Sequence, residues 1–333
     1  NRMDVPGLTS YLVQNDSATN GMVAIQKYLK DDVMVYGSYT TASKGAGING
    51  GTDPVPYDQE DTAVLDFGLK AKLLDGAMLL NMNVFQNDNS GMLLATIRNT
   101  EAFNINVDAE VKGFEGLMKV FLSDTTSIDL SWLFVDAEIT SDTSTGNYLE
   151  PAGATGILQY LGPVDPQGTG FLTGAVFNNG QVWYKSGGFN CLTPLGFNPA
   201  AGVLCPLSEA NPVSLQGNDL PGVADTSYSF SFTQLFPGDN GVTSARLSYR
   251  YRGESNGDPF NMSRFDVPEQ KQFDFLLRYT PNNGDWYVGM YAKNLADDQT
   301  MNSIRSGSNA QGGQLYASFT DPRTWGIQFG SSF

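Results

Sequence analysis

The sequence predicts an all-β protein, an antiparallel β-barrel wall that crosses a membrane on its strands. Three observations carry that expectation. Apolar and polar residues alternate over runs of about ten. Tight turns take turns with long connections along the chain, and aromatic residues gather at strand ends. No stretch approaches 18 uninterrupted apolar residues, so no transmembrane helix is expected.

Composition narrows the function classes. The chain has 333 residues, 19 Lys and Arg against 35 Asp and Glu, and a net charge of −16. Binding to nucleic-acid phosphates needs a basic face, so no nucleic-acid partner is expected. There is no histidine, which excludes Ser-His-Asp and Cys-His catalysis and His-ligated zinc. With no Gly-x-Ser-x-Gly motif either, the chain is not expected to be an enzyme. No cofactor and no metal are expected; Asn87-Asp88-Asn89-Ser90-Gly91 lacks the spaced carboxylates and closing Glu of a calcium loop. The 37 glycines, 20 Phe and 15 Tyr favour strands and turns over helices. Asn1 opens the chain without a basic n-region or apolar h-region, so a signal peptide is expected to be absent.

Eleven strands are expected, at roughly 22–30, 32–43, 61–73, 76–90, 102–122, 127–140, 225–236, 242–253, 268–280, 285–296 and 322–333. The first two meet at the turn Lys30-Asp31-Asp32. In the third, Ala63, Leu65, Phe67, Leu69, Ala71 and Leu73 alternate with Asp66, Gly68, Lys70 and Lys72, up to the turn Leu74-Asp75-Gly76. In the fifth, Ile105, Val107, Ala109 and Val111 stand opposite Asn106, Asp108, Glu110 and Lys112, and Ser123-Asp124-Thr125 turns the chain into the sixth. The seventh sets Tyr228, Phe230 and Phe232 against serines, then turns at Pro237 to Gly241. The eighth sets Ala245, Leu247, Tyr249 and Tyr251 against Ser244, Arg246, Ser248, Arg250 and Arg252. The ninth alternates Phe273, Phe275, Leu277 and Tyr279 with polar residues; after Pro281 to Asp285, Trp286, Val288, Met290 and Ala292 line one side of the tenth. The other connections are long, and 141–225 is the longest.

A soluble β-sandwich also alternates. Strand length, strictly alternating connections and aromatics at strand ends (Tyr249, Tyr251, Tyr279, Trp286, Trp325) favour the barrel, because such aromatics sit at lipid interfaces. Trp325, Phe329 and Phe333 share the face of the last strand, as an assembly signal of an outer-membrane barrel would. The expected location is the outer membrane of a Gram-negative bacterium, with its lipid as a partner.

Six segments then occur in order. They are Val33-Met34-Val35-Tyr36-Gly37-Ser38-Tyr39 before Lys44-Gly45 and Gly50-Gly51; Tyr57-Asp58-Gln59-Glu60 leading to Leu65-Asp66-Phe67-Gly68-Leu69-Lys70; and Val111-Lys112-Gly113-Phe114-Glu115. Leu215 to Pro221, Lys293-Asn294-Leu295-Ala296-Asp297 and Asp321-Pro322-Arg323-Thr324-Trp325-Gly326 follow. Together they resemble the C-terminal half of a TonB-dependent outer-membrane receptor, from about Gly21 to Phe333. The resemblance implies a barrel of twenty-two strands around an N-terminal plug, of which residues 1–333 supply the last eleven strands. The plug, the TonB-contacting box and the first strands are then expected in the same or a companion chain. It also implies TonB-energised uptake of a scarce solute, of the siderophore, cobalamin or oligosaccharide class. A passive diffusion porin is the alternative.

The lumen-facing set is expected to be Asp66, Lys70, Lys72, Asp108, Glu110, Lys112, Asp129, Arg246, Arg250, Asp274 and Arg278. By the resemblance, Asp66 and Glu115 match two barrel acids that pair with plug arginines; Lys70, Arg246 and Arg250 are the further plug-contacting candidates. The 141–225 loop is the candidate for ligand capture, through Tyr148, Tyr160, Trp183, Tyr184 and Phe189, or else these aromatics pack the loop itself. Cys191 and Cys205, 14 positions apart, have the wrong number and spacing for a zinc ribbon; a disulfide clipping that loop is preferred to free thiols.

Overall fold

The computed structural model describes residues 2–3, 12–13, 16–50, 55–98, 101–146, 159–160, 175–178, 181–185, 192–194, 212–306 and 315–331. Eleven strands form a single antiparallel sheet in chain order, each pairing with the next. We number them β1 (Gly21–Lys30), β2 (Val33–Lys44), β3 (Glu60–Leu73), β4 (Met78–Arg98), β5 (Glu101–Ser123), β6 (Thr126–Ile139), β7 (Thr226–Gly238), β8 (Gly241–Arg252), β9 (Gln270–Pro281), β10 (Trp286–Lys293) and β11 (Thr324–Ser331). All eleven expected strands are present. β1 and β11 each have one neighbour in the sheet, so the sheet is a wall with two open edges.

The tight turns lie at one end, with Asp31-Asp32, Asp124-Thr125 and Asp239-Asn240 as the shortest. At the other end one expectation is corrected. The β4–β5 connection is not a long loop: β4 and β5 continue as a paired hairpin, with Arg98 opposite Glu101. A bulge between Asn89 and Met92 makes this possible, with Gly91 at φ +67°. A side chain at Gly91 would also come within 2.6 Å of the Gln59 carbonyl oxygen, so glycine is required there twice over.

Registration separates the residues into two faces. One row runs Leu80, Met118, Leu130, Phe230, Tyr249, Phe273 across six strands. A parallel row runs Ile128, Phe232, Leu247, Phe275, Ala292, Trp325. This apolar face stays exposed, with Phe67, Val84, Leu247 and Met290 all open to the surroundings. In water that much contiguous apolar area would be a liability; against lipid it is the expected exterior of a barrel. Gly116 lets the Trp132 ring lie flat on this face, since a Cβ there would stand 2.2 Å from it. The opposite face carries Lys70, Asn81, Leu117, Ser131, Ser229, Arg250 and Gln272 in one row, and is the inner wall.

The buried cores lie at the loop end. Leu94, Val107, Ala109, Ala137 and Ile139 pack with Leu215 and Leu220 of the chain entering β7, and with Phe260 from the β8–β9 loop. A second cluster joins Phe265 and Val267 of that loop to Ile304 of the β10–β11 connection. A wall one sheet thick has no second layer to pack against, so its dry cores form where the loops fold over the strand ends.

Candidate functional site: the polar inner wall

Strand parity puts Asp66 of β3 and Glu115 of β5 on the inner wall, on either side of β4. Tyr36 of β2 lies within electrostatic reach of both carboxylates. Its ring also carries the Lys70 ammonium at 5.6 Å. The Asp66 carboxylate also forms a side-chain hydrogen bond with Tyr36, and its Oδ1 is covered by the wall with no partner among the described residues.

Further round the wall the charges are paired. Asp129 of β6 lies 3.2 Å from the Lys119 ammonium and 3.6 Å from the Arg246 guanidinium. Arg250 meets Asp274 at 2.5 Å and donates to Gln272 at 2.8 Å. Arg252 donates instead to the Gly222 carbonyl, at 2.8 Å. A cavity of about 640 Å³ opens here, lined by Asn83, Glu115, Ser131, Ser229, Arg250 and Arg252 among others. Ser131, Ser227 and Ser229 are among its lining, with the Ser131 and Ser229 hydroxyls 2.6 Å apart. Small hydroxyls leave room and offer both donors and acceptors.

Of the expected lumen set, Glu110 and Lys112 are corrected. They stand in register with Asp88, Gln86, Glu138 and Asp136, on the same face as Phe114 and Met118, and pair with each other. One residue of parity separates them from Glu115, and period-two alternation makes that one residue the difference between lipid side and lumen side. They extend the outer face beyond its apolar band. Asp108 is also not a wall residue. Its carboxylate accepts the Gly91 N–H at 2.9 Å and the Ser90 hydroxyl at 3.3 Å, so it holds the bulge.

The loop candidates divide. Tyr148, Phe189, Cys191 and Cys205 lie outside the described residues, as does Phe333. Tyr160, Trp183 and Tyr184 belong to a separate four-stranded sheet within the loop, where Tyr160 and Trp183 are both in register with Val176. Trp325 and Phe329 occupy the lipid face, 79% and 69% exposed, and Phe329 stacks on Trp286 at 6.3 Å. Among the described residues, no group of three or more Cys, Asp or Glu side chains is arranged to hold a metal ion.

One acid went unread in the sequence. Asp225, at the entry to β7, titrates above the ordinary carboxylate range, through partial burial first and then the nearby Asp219 and Asp136. Its carbonyl receives the Val135 N–H at 2.9 Å, so it sits where the core-forming segment 215–225 meets β6. A raised carboxylate pKa means that the bound segment takes up a proton more readily than the free one. The stabilisation is therefore full below the ordinary value of 3.8 and is lost as pH rises through the elevated one. Amide exchange in residues 215–225 is expected to slow, relative to the intrinsic rate, as pH drops from neutral to about 4. Asp225→Asn should abolish most of that dependence.

The sequence matches the family described as TonB dependent receptor-like, beta-barrel, over residues 4–295. The chain belongs to this family. Solved receptors share the fold at low identity. The ferric yersiniabactin uptake receptor FyuA of Yersinia pestis superposes with a TM-score of 0.65 at 16% identity, over 96% of this chain and 38% of its own. The siderophore receptor PiuA of Acinetobacter baumannii gives 0.58 at 15%, over 96% and 38%. The copper transporter OprC gives 0.58 at 15%, over 94% and 39%. No curated protein matches the sequence significantly. This receptor barrel thus spans less than two-fifths of the length of the structures it resembles, which agrees with its two unpaired edges.

Proposed function

We propose that the full-length protein is an outer-membrane receptor importing a scarce solute with energy relayed through TonB. The observation that supports this most is the inner wall, where Asp66 and Glu115 stand on either side of β4, both within electrostatic reach of the Tyr36 hydroxyl. Two carboxylates facing one lumen suit an arginine on a folded plug, which would form charge-assisted hydrogen bonds there. The plug, the remaining strands and the TonB complex are then the partners, and outer-membrane lipid covers the apolar face. The solute belongs to the siderophore, cobalamin or oligosaccharide class. It is captured by the extracellular loops, with Tyr160, Trp183 and Tyr184 as stacking platforms.

The deciding experiment expresses the complete receptor in cells with intact or uncoupled TonB and follows growth on candidate solutes. Growth that vanishes on uncoupling supports an energised importer. Growth that persists, together with steady ion conductance of the wild-type protein in planar bilayers, would establish a diffusion porin instead. Within the importer, Asp66→Asn combined with Glu115→Gln should lower the free energy of plug release by about 1–3 kcal/mol, because charge-assisted hydrogen bonds are replaced by neutral ones. Urea-dependent conductance of the complete receptor measures it, and an unchanged midpoint would remove these two residues from plug retention.

A further inference from the structure

One stretch of the apolar exterior carries unpaired charge. Among the described strands the cations on the outer face are Lys27, Lys30, Lys112 and Lys271. Lys112 and Lys271 lie towards the loop end, and each has a carboxylate, from Glu110 and Glu269. Lys27 and Lys30 stand at the turn end of β1, and neither forms an ion pair among the described residues.

Register fixes both lysines on that face. Lys27 is opposite Val35, whose row continues through Leu69, Met82 and Gly116 to Trp132. Simple alternation would turn Lys30 to the lumen with Tyr28. A bulge between Tyr28 and Lys30 instead sets Lys30 opposite Val33, whose row runs through Ala71 to Leu80 and Met118. The extra residue thus re-aims a second lysine to the outside, beside the first. A charged side chain on the lipid side is unfavourable unless its ammonium reaches the interface and an anion there. The turn carboxylates Asp31 and Asp32 do not supply that anion: they are exposed past the strand end and pair with neither lysine among the described residues.

Beside Lys27 the same face opens into a groove of about 530 Å³, lined by Ile25, Val35, Phe67, Leu69, Met82 and Val84 with Lys27 itself. Gly37 shapes it, because the Phe67 ring lies where a Cβ would stand 2.9 Å from it. Ile25, Phe67 and Val84 belong to the row one step further from the turns than Lys27, Leu69 and Met82. The groove therefore leads from the cations at the interface into the hydrocarbon, which is the polarity of a lipid molecule.

We propose that this face holds an anionic phospholipid of the periplasmic leaflet, its phosphate between Lys27 and Lys30 and an acyl chain along the groove. The inference rests on the outer-membrane reading above, in which the tight turns face the periplasm; it needs neither TonB nor the solute. Cations near a bilayer surface favour anionic headgroups, and the groove adds a defined seat for the chain.

The test places the complete receptor in phosphatidylcholine vesicles containing a trace of phosphatidylglycerol, or of phosphatidylcholine, with a photoactivatable acyl chain. After irradiation the peptides carrying β1 and β2 are scored for label, and heat-modifiable gel migration reports that the barrel is folded. Phosphatidylglycerol is expected to label these peptides more strongly than phosphatidylcholine. Lys27→Gln with Lys30→Gln should lower the phosphatidylglycerol label by about fivefold or more and leave the phosphatidylcholine label unchanged. Lys27→Arg with Lys30→Arg should keep the preference, and Val35→Trp, which narrows the groove without removing a cation, should weaken it. Equal labelling of the wild type by the two lipids would overturn the site, as when a carboxylate on the preceding strand of the full-length protein neutralises the lysines. So would a phosphatidylglycerol label that the glutamine pair leaves unmoved. If the glutamine pair does not fold, the wild type decides alone, since raised salt must then erase its preference. A wild type that does not enter vesicles as a heat-modifiable barrel would instead refute the outer-membrane reading itself.

Discussion

Leu130→Arg is expected to destabilise the complete barrel by about 2–4 kcal/mol, while Ser131→Arg beside it should cost less than about 1 kcal/mol. Leu130 stands with Ile128, Trp132 and Phe134 on the apolar face of β6, between Met118 and Phe230. An arginine there would carry its guanidinium into hydrocarbon, where neither water nor a carboxylate is within reach. Ser131 points to the opposite face and borders the 640 Å³ cavity of the inner wall, where a cation finds polar neighbours. Urea unfolding in lipid vesicles measures both. Equal costs for the two variants would mean that the faces have been assigned the wrong way round.

The second large effect is expected at Asn294, just past β10, where Ala should cost about 3–4 kcal/mol. This residue is 1% exposed and adopts φ +50°. Its side chain donates to the Asp298 and Asp321 carbonyls at 3.0 and 2.9 Å and accepts the Asp298 N–H at 3.1 Å. Its own N–H donates to Asp274 Oδ1 at 3.0 Å. One amide thus ties the end of β10 to the segment leading into β11 and to the wall carboxylate that holds Arg250. Alanine leaves three backbone groups unsatisfied and adds left-handed strain; Asn294→Gly should recover only the strain, about 1 kcal/mol. Proteolysis of the β10–β11 connection in the folded receptor gives the ranking, wild type slowest and alanine fastest. Indistinguishable rates would show that the connection is held elsewhere.

Asn294 also shows why a short motif can be legible without its reason. Lys293-Asn294-Leu295-Ala296-Asp297 stands out in the sequence as a landmark, but its hydrogen-bond partners are up to 27 residues away. The resemblance singles out Asp66 and Glu115 together, and register puts both on the polar face. Alternation set Glu110 and Lys112 in the lumen as well, where register does not put them, because local alternation separates two faces without saying which is the outer one. That choice comes from the neighbouring strands: Glu110 and Lys112 extend a face whose register partners further along are Phe114, Phe134 and Leu130.

By itself the sequence determined the strands, their antiparallel order, the tight-turn end and the apolar exterior. Each follows from contacts between residues two apart on a strand or joined by a turn, so each is written locally. Only the tertiary structure decided that the dry cores lie among the loops, with Leu215 and Leu220 against Ile139, and that β4 and β5 continue as one hairpin. It alone brought Lys119 and Arg246 to the same carboxylate and set Tyr36 within reach of both Asp66 and Glu115. These depend on strands far apart in the chain arriving side by side at one height, and the height is set by strand register across the whole sheet.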